Sequence, residues 1–234
     1  MTNTKTLESI YAIAATLPAE QQQTIHKLVD DNVNMANVFK STETLIAELI
    51  LQLNSDIATG EAKSSGKNNQ LKAMKYILSQ GKKAPKEYAQ YVKTIDGWQY
   101  ASDGFMLAKI KPLNLPECPE RLGYLDVKSV LNGNRDAYNE LVMPDAVKLK
   151  AYIKQQKALH KADKKYKSVY NFGKDKPLVD AECLSTVIDL MEGKFKAYYK
   201  NTVCAIYLKD EHDNEALLCP IRRKEGFVDE VTKL

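Results

Sequence analysis

The sequence predicts an α+β protein. Three observations carry that prediction: helical periodicity through residues 1–59, a change to short strands after residue 90, and the order helix-then-three-strands occurring twice, at 69–112 and 179–223. At 234 residues, 44% hydrophobic and 27% charged, the chain can bury a substantial core without disulfides or metals. The changes of rhythm divide it into a helical module at 1–59, a linker at 60–69 and an α+β domain at 70–234.

The first helix carries Leu7, Ile10, Tyr11, Ala14 and Leu17 at the i, i+3, i+4, i+7 spacing of one helix face. Pro18 ends it and suits the first turn of a second helix, where its missing N–H is harmless. That second helix bears Ile25, Leu28 and Val29. A third begins near Ser41, a candidate N-cap, and shows a broad apolar stripe of Leu45, Ile46, Leu49, Ile50, Leu53 and Ile57. Three short helices close no large core alone. Leu45, Leu49, Ile50 and Leu53 are therefore expected to dock, on the rest of the chain or on a second copy as a homo-oligomer.

"GEAKSSGKNN" at 60–69 has linker composition. It fails as a phosphate-binding loop because five residues separate Gly60 from Gly66 and Asn68 stands where Ser or Thr would hold Mg²⁺. "QLKAMKYILSQGKK" then reads as a helix with Leu71, Met74, Ile77 and Leu78 on one face and Gly81 at its end. "QYVKTI", "WQYAS" and "FMLAKIKP" are strands parted by Asp96-Gly97 and Asp103-Gly104, the dipeptides of tight hairpin turns. "LNLPECPE" is loop, and "YLDVKSVLNG" reads as a strand entering a turn at Asn132-Gly133. Pro144 to Lys167 is one long helix, "SVYNF" a strand, and "VDAECLSTVIDLMEG" a helix with Leu184, Val187 and Ile188 inward. "FKAYYK", "VCAIYLK" and "ALLCPIRR" close the domain as strands, with a turn at 210–214.

Four segments, in chain order, match one known pattern. "YASDGFMLAKI" is similar to "ATDG-[HY]-R-L-A", with Ser102-Asp103-Gly104 and Leu107-Ala108 in register; "YNELVMP" at 138–144 resembles "G-x-[FY]-P-x-Y-x-x-[LV]-I-P"; "PLVDAECLSTVIDLMEG" resembles "xxVNAxYLLDVLxxL"; "ALLCPIRR" resembles "xxLxMPxR". Together they resemble the DNA sliding clamp, the processivity factor of replicative polymerases. Met106 stands where the clamp has Arg, and Arg135-Asp136-Ala137 replaces its Phe-Pro approach. The resemblance covers about residues 69–224. It implies a clamp-like domain of two helix-plus-three-strand halves, preceded by the helical module. It further implies a role around DNA in replication, on a mobile element for example, with a replication protein as a second partner. One such domain per chain cannot encircle DNA, which again implies oligomers.

Charge is unevenly placed. From Lys148 to Lys176 there are ten lysines against Asp163 and Asp175, a local +8 in a chain whose net charge is +4. Lys150, Lys154, Lys157, Lys161 and Lys164 advance by 4, 3, 4, 3. On one helix they form a row about 21 Å long, suited to the phosphates of double-stranded DNA without sequence preference. Leu149, Tyr152, Ile153 and Leu159 lie on a different face and are free to dock.

Chemistry beyond that is sparse. His26, His160 and His212 fall in separate regions, and no H-x-x-x-H, G-x-S-x-G or G-x-G-x-x-G occurs. Cys118, Cys183, Cys204 and Cys219 contain no C-x-x-C pair, as expected of reduced thiols. No catalytic residue, metal ligand or cofactor is nominated, and the expected role is non-enzymatic. The rivals are a protein-interaction module or inhibitor that reuses a clamp surface without DNA, and a cryptic enzyme. The N-terminus lacks a signal-peptide pattern, and "LIAELILQL" at 45–53 is far short of the roughly 20 apolar residues that span a bilayer. A cytoplasmic protein without a membrane partner is expected.

Overall fold

The computed structural model describes residues 12, 15, 19, 22–27, 42–163, 166–223 and 231–234, without the side chains of 42–48, 51, 54 and 55. It divides into two compact units, 1–60 and 61–234. In the first, residues 22–27 are helical and Ile25 is buried. The stripe from Leu7 to Leu17, the helix start at Pro18, and Leu28, Val29 and Ser41 lie outside the described residues.

Helix α1 spans Thr42–Ser64, so the expected linker at 60–69 is largely helix. Gly60 costs the helix about 1 kcal/mol relative to Ala, but Glu61, Ala62 and Lys63 after it are good helix formers. The hydroxyls of Ser64 and Ser65 both donate to the Glu61 carbonyl and close the end. Only residues 65–67 separate α1 from α2, Asn68–Gly81, with Gly66 at φ +74° making the turn.

The second unit is built on one antiparallel sheet of seven strands. Its strands are β1 (Lys93–Ile95), β2 (Trp98–Ser102), β3 (Met106–Ile110), β4 (Asn139–Glu140), β7 (Phe195–Tyr199), β8 (Ile206–Asp210) and β9 (Glu215–Leu218). A separate hairpin pairs β5 (Val169–Asn171) with β6 (Leu178–Asp180). The large sheet runs β1-β2-β3-β9-β8-β7-β4. The two sets of three consecutive strands thus meet third strand to third strand, Ala108 opposite Ala216, and their order mirrors about that pairing. Each set follows a helix: α2 before β1, and α5 (Ala181–Asp189) before β7. α2 and α5 pack on each other and on the sheet.

Local chemistry makes these turns. Asp96 and Gly97 both have positive φ, 52° and 74°, as a two-residue turn matching strand twist requires. Asp103 is buried, and its Oδ1 accepts from the backbone N–H groups of Phe105 and Met106, at 2.8 and 2.7 Å. Gly104 takes φ +90°, so Asp103-Gly104 is the corner between β2 and β3.

Strand alternation divides the side chains between two faces. Ala101, Met106, Ala108, Ile110, Ile206, Leu208, Ala216 and Leu218 face one way and are all essentially inaccessible. Leu71, Met74 and Ile77 of α2 and Leu184 and Val187 of α5 are equally buried. Tyr100, Leu107, Tyr207 and Leu217 face the other way and form a second core with Val127 and Leu131.

Those last two residues correct the expected strand at 124–133. The segment forms helix α3, Val127–Asn132, capped by Asp126, whose carboxylate accepts from Ser129 N–H. Val127 and Leu131, four apart, lie on one helix face, and burying them against the sheet overrides the β preference of the valines. Helix α4 is also shorter than its predicted span, running Ala146–Leu159. His160 stacks on Tyr166 with ring centroids 3.7 Å apart, and the Tyr166 hydroxyl donates to Gln156. The chain therefore folds back over the last turn instead of extending it.

Candidate nucleic-acid interface

Helix α4 starts at an Asp145 N-cap that accepts from Val147 and Lys148 N–H groups. It docks through Leu149 and Ile153, both buried, and through Tyr152, whose hydroxyl donates to the Val169 carbonyl. Leu159 does not dock; it is exposed. The remaining face carries the lysines. Lys150, Lys154 and Lys157 share one row of α4, and Lys161 follows in the turn after the helix. Lys164 lies outside the described residues. The five are therefore not one straight helical stripe, because α4 ends before Lys161.

Two of these lysines are partnered within the chain. Lys150 pairs with Asp189 at 2.7 Å and Lys157 with Glu182 at 2.8 Å. Their order is reversed along α5, so α4 and α5 run antiparallel. Both ammonium groups are about half exposed, and such pairs contribute only about 0–1 kcal/mol. A phosphate reaching either lysine meets the negative charge of Asp189 or Glu182 beside it. Lys154 and Lys161 are exposed and form no ion pair with a described residue.

The stripe on α1 is less covered than expected. Leu49 and Leu53 are half-buried, but Ile50 is 52% exposed and Ile57 42%; the side chain of Leu45 lies outside the described residues. Leu49, Ile50, Leu53 and Ile57 recur at helical spacing, so they share a face.

Sequence reasoning missed a buried charge cluster. On the sheet face that carries α3, the buried carboxylate of Glu215 on β9 accepts four hydrogen bonds. Lys109 Nζ donates to Oε1 at 2.6 Å, Arg135 Nη2 to Oε1 at 2.6 Å, Arg135 Nε to Oε2 at 2.8 Å, and the Tyr207 hydroxyl to Oε2 at 2.7 Å. Burial raises the carboxyl pKa, but donation by Arg135, Lys109 and Tyr207 outweighs it and holds Glu215 at about 2. Beside this group Trp98 lies under two ammonium groups, Lys109 at 4.2 Å and Lys111 at 3.9 Å from the ring centroid, positions that stabilise cations on an indole face. Lys128 of α3 pairs with Asp96 of the β1–β2 turn. Glu215 lies 106 residues from Lys109 and 80 from Arg135, and only alternation along β3 and β9 hints that Lys109 and Glu215 share a face.

Among the described residues no three His, Cys, Asp or Glu side chains converge as a metal site, the four cysteines are free thiols, and no helix is long and apolar enough to cross a membrane. No family model matches the chain, and neither a curated protein nor a solved structure is similar to it.

Proposed function

We propose that the protein is a non-enzymatic, DNA-associated scaffold or regulator built on a sliding-clamp-like domain, which holds the backbone of duplex DNA through the α4 lysines. The observation that carries this reading is the row Lys150, Lys154 and Lys157 on the flank of α4 beside its docked face, continued by Lys161. The mirrored strand order β1-β2-β3-β9-β8-β7, with helices preceding each set, supports the clamp-like part. A lysine is a point charge with no planar fork, so these contacts carry no base information.

Neutralising about four phosphates gives a slope of log K against log salt near about −3.6. Lys154→Glu combined with Lys161→Glu is expected to weaken binding at least tenfold at low salt. Stability should move by less than about 0.5 kcal/mol, because both side chains are exposed. Fluorescence anisotropy with a labelled duplex, across salt concentrations and with unrelated competitor sequences, measures each of these. Absence of binding at low salt, or indifference to the double charge reversal, transfers support to the protein-interaction reading.

A clamp-like domain acts around DNA only as an assembly, and the proposed contact between copies is the α1 face of Leu49, Ile50, Leu53 and Ile57. Exposed apolar residues grouped on one helix face mark an interaction surface. Ile50→Glu with Ile57→Glu is expected to convert a light-scattering mass of two or more chains into that of one. A wild-type chain that is monomeric at high concentration removes the assembly from the proposal.

A further inference from the structure

A cavity of about 280 Å³ opens beside Glu215, on the sheet face away from α2 and α5. Lys109, Lys128 and Arg135 converge on it, and Trp98, Tyr100 and Leu131 form its apolar wall. Each cation is anchored and keeps donors to spare. Lys109 spends one N–H on Glu215 and Lys128 one on Asp96; Arg135 spends three, on Glu215 and on Asn132 Oδ1. With three donors per ammonium and five per guanidinium, two N–H bonds remain on each side chain. They come from a strand, a helix and the turn after that helix, so they are not coplanar. A tetrahedral anion suits such an array better than a flat carboxylate.

The charge balance points the same way. Of the charged side chains that line the cavity, Lys109, Lys128 and Arg135 are cationic and Asp96 alone is acidic; Glu215, Asp126 and Asp213 lie behind or beside them. A phosphate monoester, at about −1.5 to −2 at pH 7, is attracted by that cationic lining more strongly than a carboxylate or a phosphodiester at about −1. The cavity also exceeds what one phosphate fills, since even a liquid-water molecule takes only about 30 Å³. Its remaining volume lies against the apolar wall. Asn132 Oδ1 is committed to Arg135, which leaves its amide N–H₂ as a donor at the rim.

We infer that this cavity binds a phosphate monoester carried on a ring-bearing molecule of nucleoside-monophosphate size. The shared chemistry has two sources, a free nucleotide or the 5′-phosphorylated end of a nucleic-acid strand. The site does not involve the α4 lysines.

Trp98 is the single tryptophan of the chain and reports directly. A phosphate that draws Lys109 and Lys111 off the indole changes its emission. The experiment titrates the full chain with AMP, adenosine, inorganic phosphate, and one oligonucleotide with and without a 5′-phosphate. AMP or the phosphorylated strand is expected to give a saturable change, and the tighter of the two identifies the source. Adenosine and the unphosphorylated strand should give none. Lys128→Ala should raise the Kd at least tenfold and Lys128→Arg should restore it; Lys128 is half exposed and its partner Asp96 more so, so neither variant threatens the fold. Lys154→Glu with Lys161→Glu should leave the titration unchanged, which separates this site from the duplex-binding proposal. No saturable change with either phosphorylated probe overturns the inference, as does a Kd unchanged in Lys128→Ala. Inorganic phosphate binding as tightly as AMP overturns the assignment of a ring-bearing ligand.

Discussion

Glu215→Ala is expected to destabilise the 61–234 unit by about 3–5 kcal/mol, the usual cost of removing one partner from a buried ion pair. The loss arises less from the missing attraction than from what remains. Lys109, at 8% exposure, would keep a buried charge without a partner, whereas the half-exposed Arg135 can turn to water, so most of the cost falls on Lys109. Tyr207, buried at 6% exposure, would lose its acceptor too. Urea unfolding at pH 7 measures the difference, with the m-value unchanged if the fold is retained. A midpoint temperature about 6–20 °C lower follows for a unit of this size.

The same carboxylate sets a pH dependence with a definite sign. Its pKa falls from 4.5 in the free group to about 2 in the folded chain. A depressed carboxylate contributes stability that is fully present above the unfolded value and is lost as pH falls through the folded one. The gap between wild type and Glu215→Ala should therefore be constant from pH 7 down to about 5 and shrink from there towards pH 2. A gap that widens on acidification would mean that Glu215 is not the ionised partner of Lys109 and Arg135.

Gly81→Ala is expected to cost about 3 kcal/mol or more, although alanine is the better helix former. Gly81 closes α2, and a Cβ there would meet the Ala89 carbonyl oxygen at 1.9 Å and its carbon at 2.5 Å. Those atoms belong to the backbone of the 3-10 turn Glu87–Gln90, which no side-chain rotation can move aside. Propensity returns at most about 1 kcal/mol, while overpacking costs about 1–3 kcal/mol and more where the backbone must shift. Gly60→Ala is the control. Gly60 also lies in a helix, but a Cβ there would meet no described atom within 4 Å, so alanine should stabilise α1 by about 0.5–1 kcal/mol. Opposite signs in paired urea titrations are the expected result; equal signs would mean that α2 and the following turn are not packed as described.

Much of the sheet was legible because its signals are local. Asp96-Gly97 and Asp103-Gly104 announce their turns through backbone conformations that few other dipeptides tolerate; the strand ends beside these turns fall within a residue of their predicted places, while β1 starts three residues later, at Lys93. The apolar spacing of Leu71, Met74, Ile77 and Leu78 likewise marks α2 without reference to anything distant. Val127 and Val130 favour strands, so the sequence points away from α3, and only the sheet face beneath Val127 and Leu131 makes the helix worth forming; the Asp126 cap and the four-residue spacing are its local signals. The end of α4 is hidden in the sequence because lysine and alanine continue a helix readily, and the Tyr166 ring stacked on His160 carries no periodic signal.

An α+β chain, the repeated order of one helix and three strands, the turn residues between them, and the concentration of lysine between 148 and 176 are all readable from residue order. Each depends on neighbours within a few positions, so a linear reading reaches it. Tertiary structure alone decided that β3 and β9 join the two sets into one sheet, that Lys150 and Lys157 lie against acids of α5, and that Lys109, Arg135 and Tyr207 converge on Glu215. The partners in these contacts come from separate elements of the chain, brought together by the burial of two apolar sheet faces. Hydrophobic burial is non-directional, so it reveals which strands are buried but not which distant charges they carry into contact.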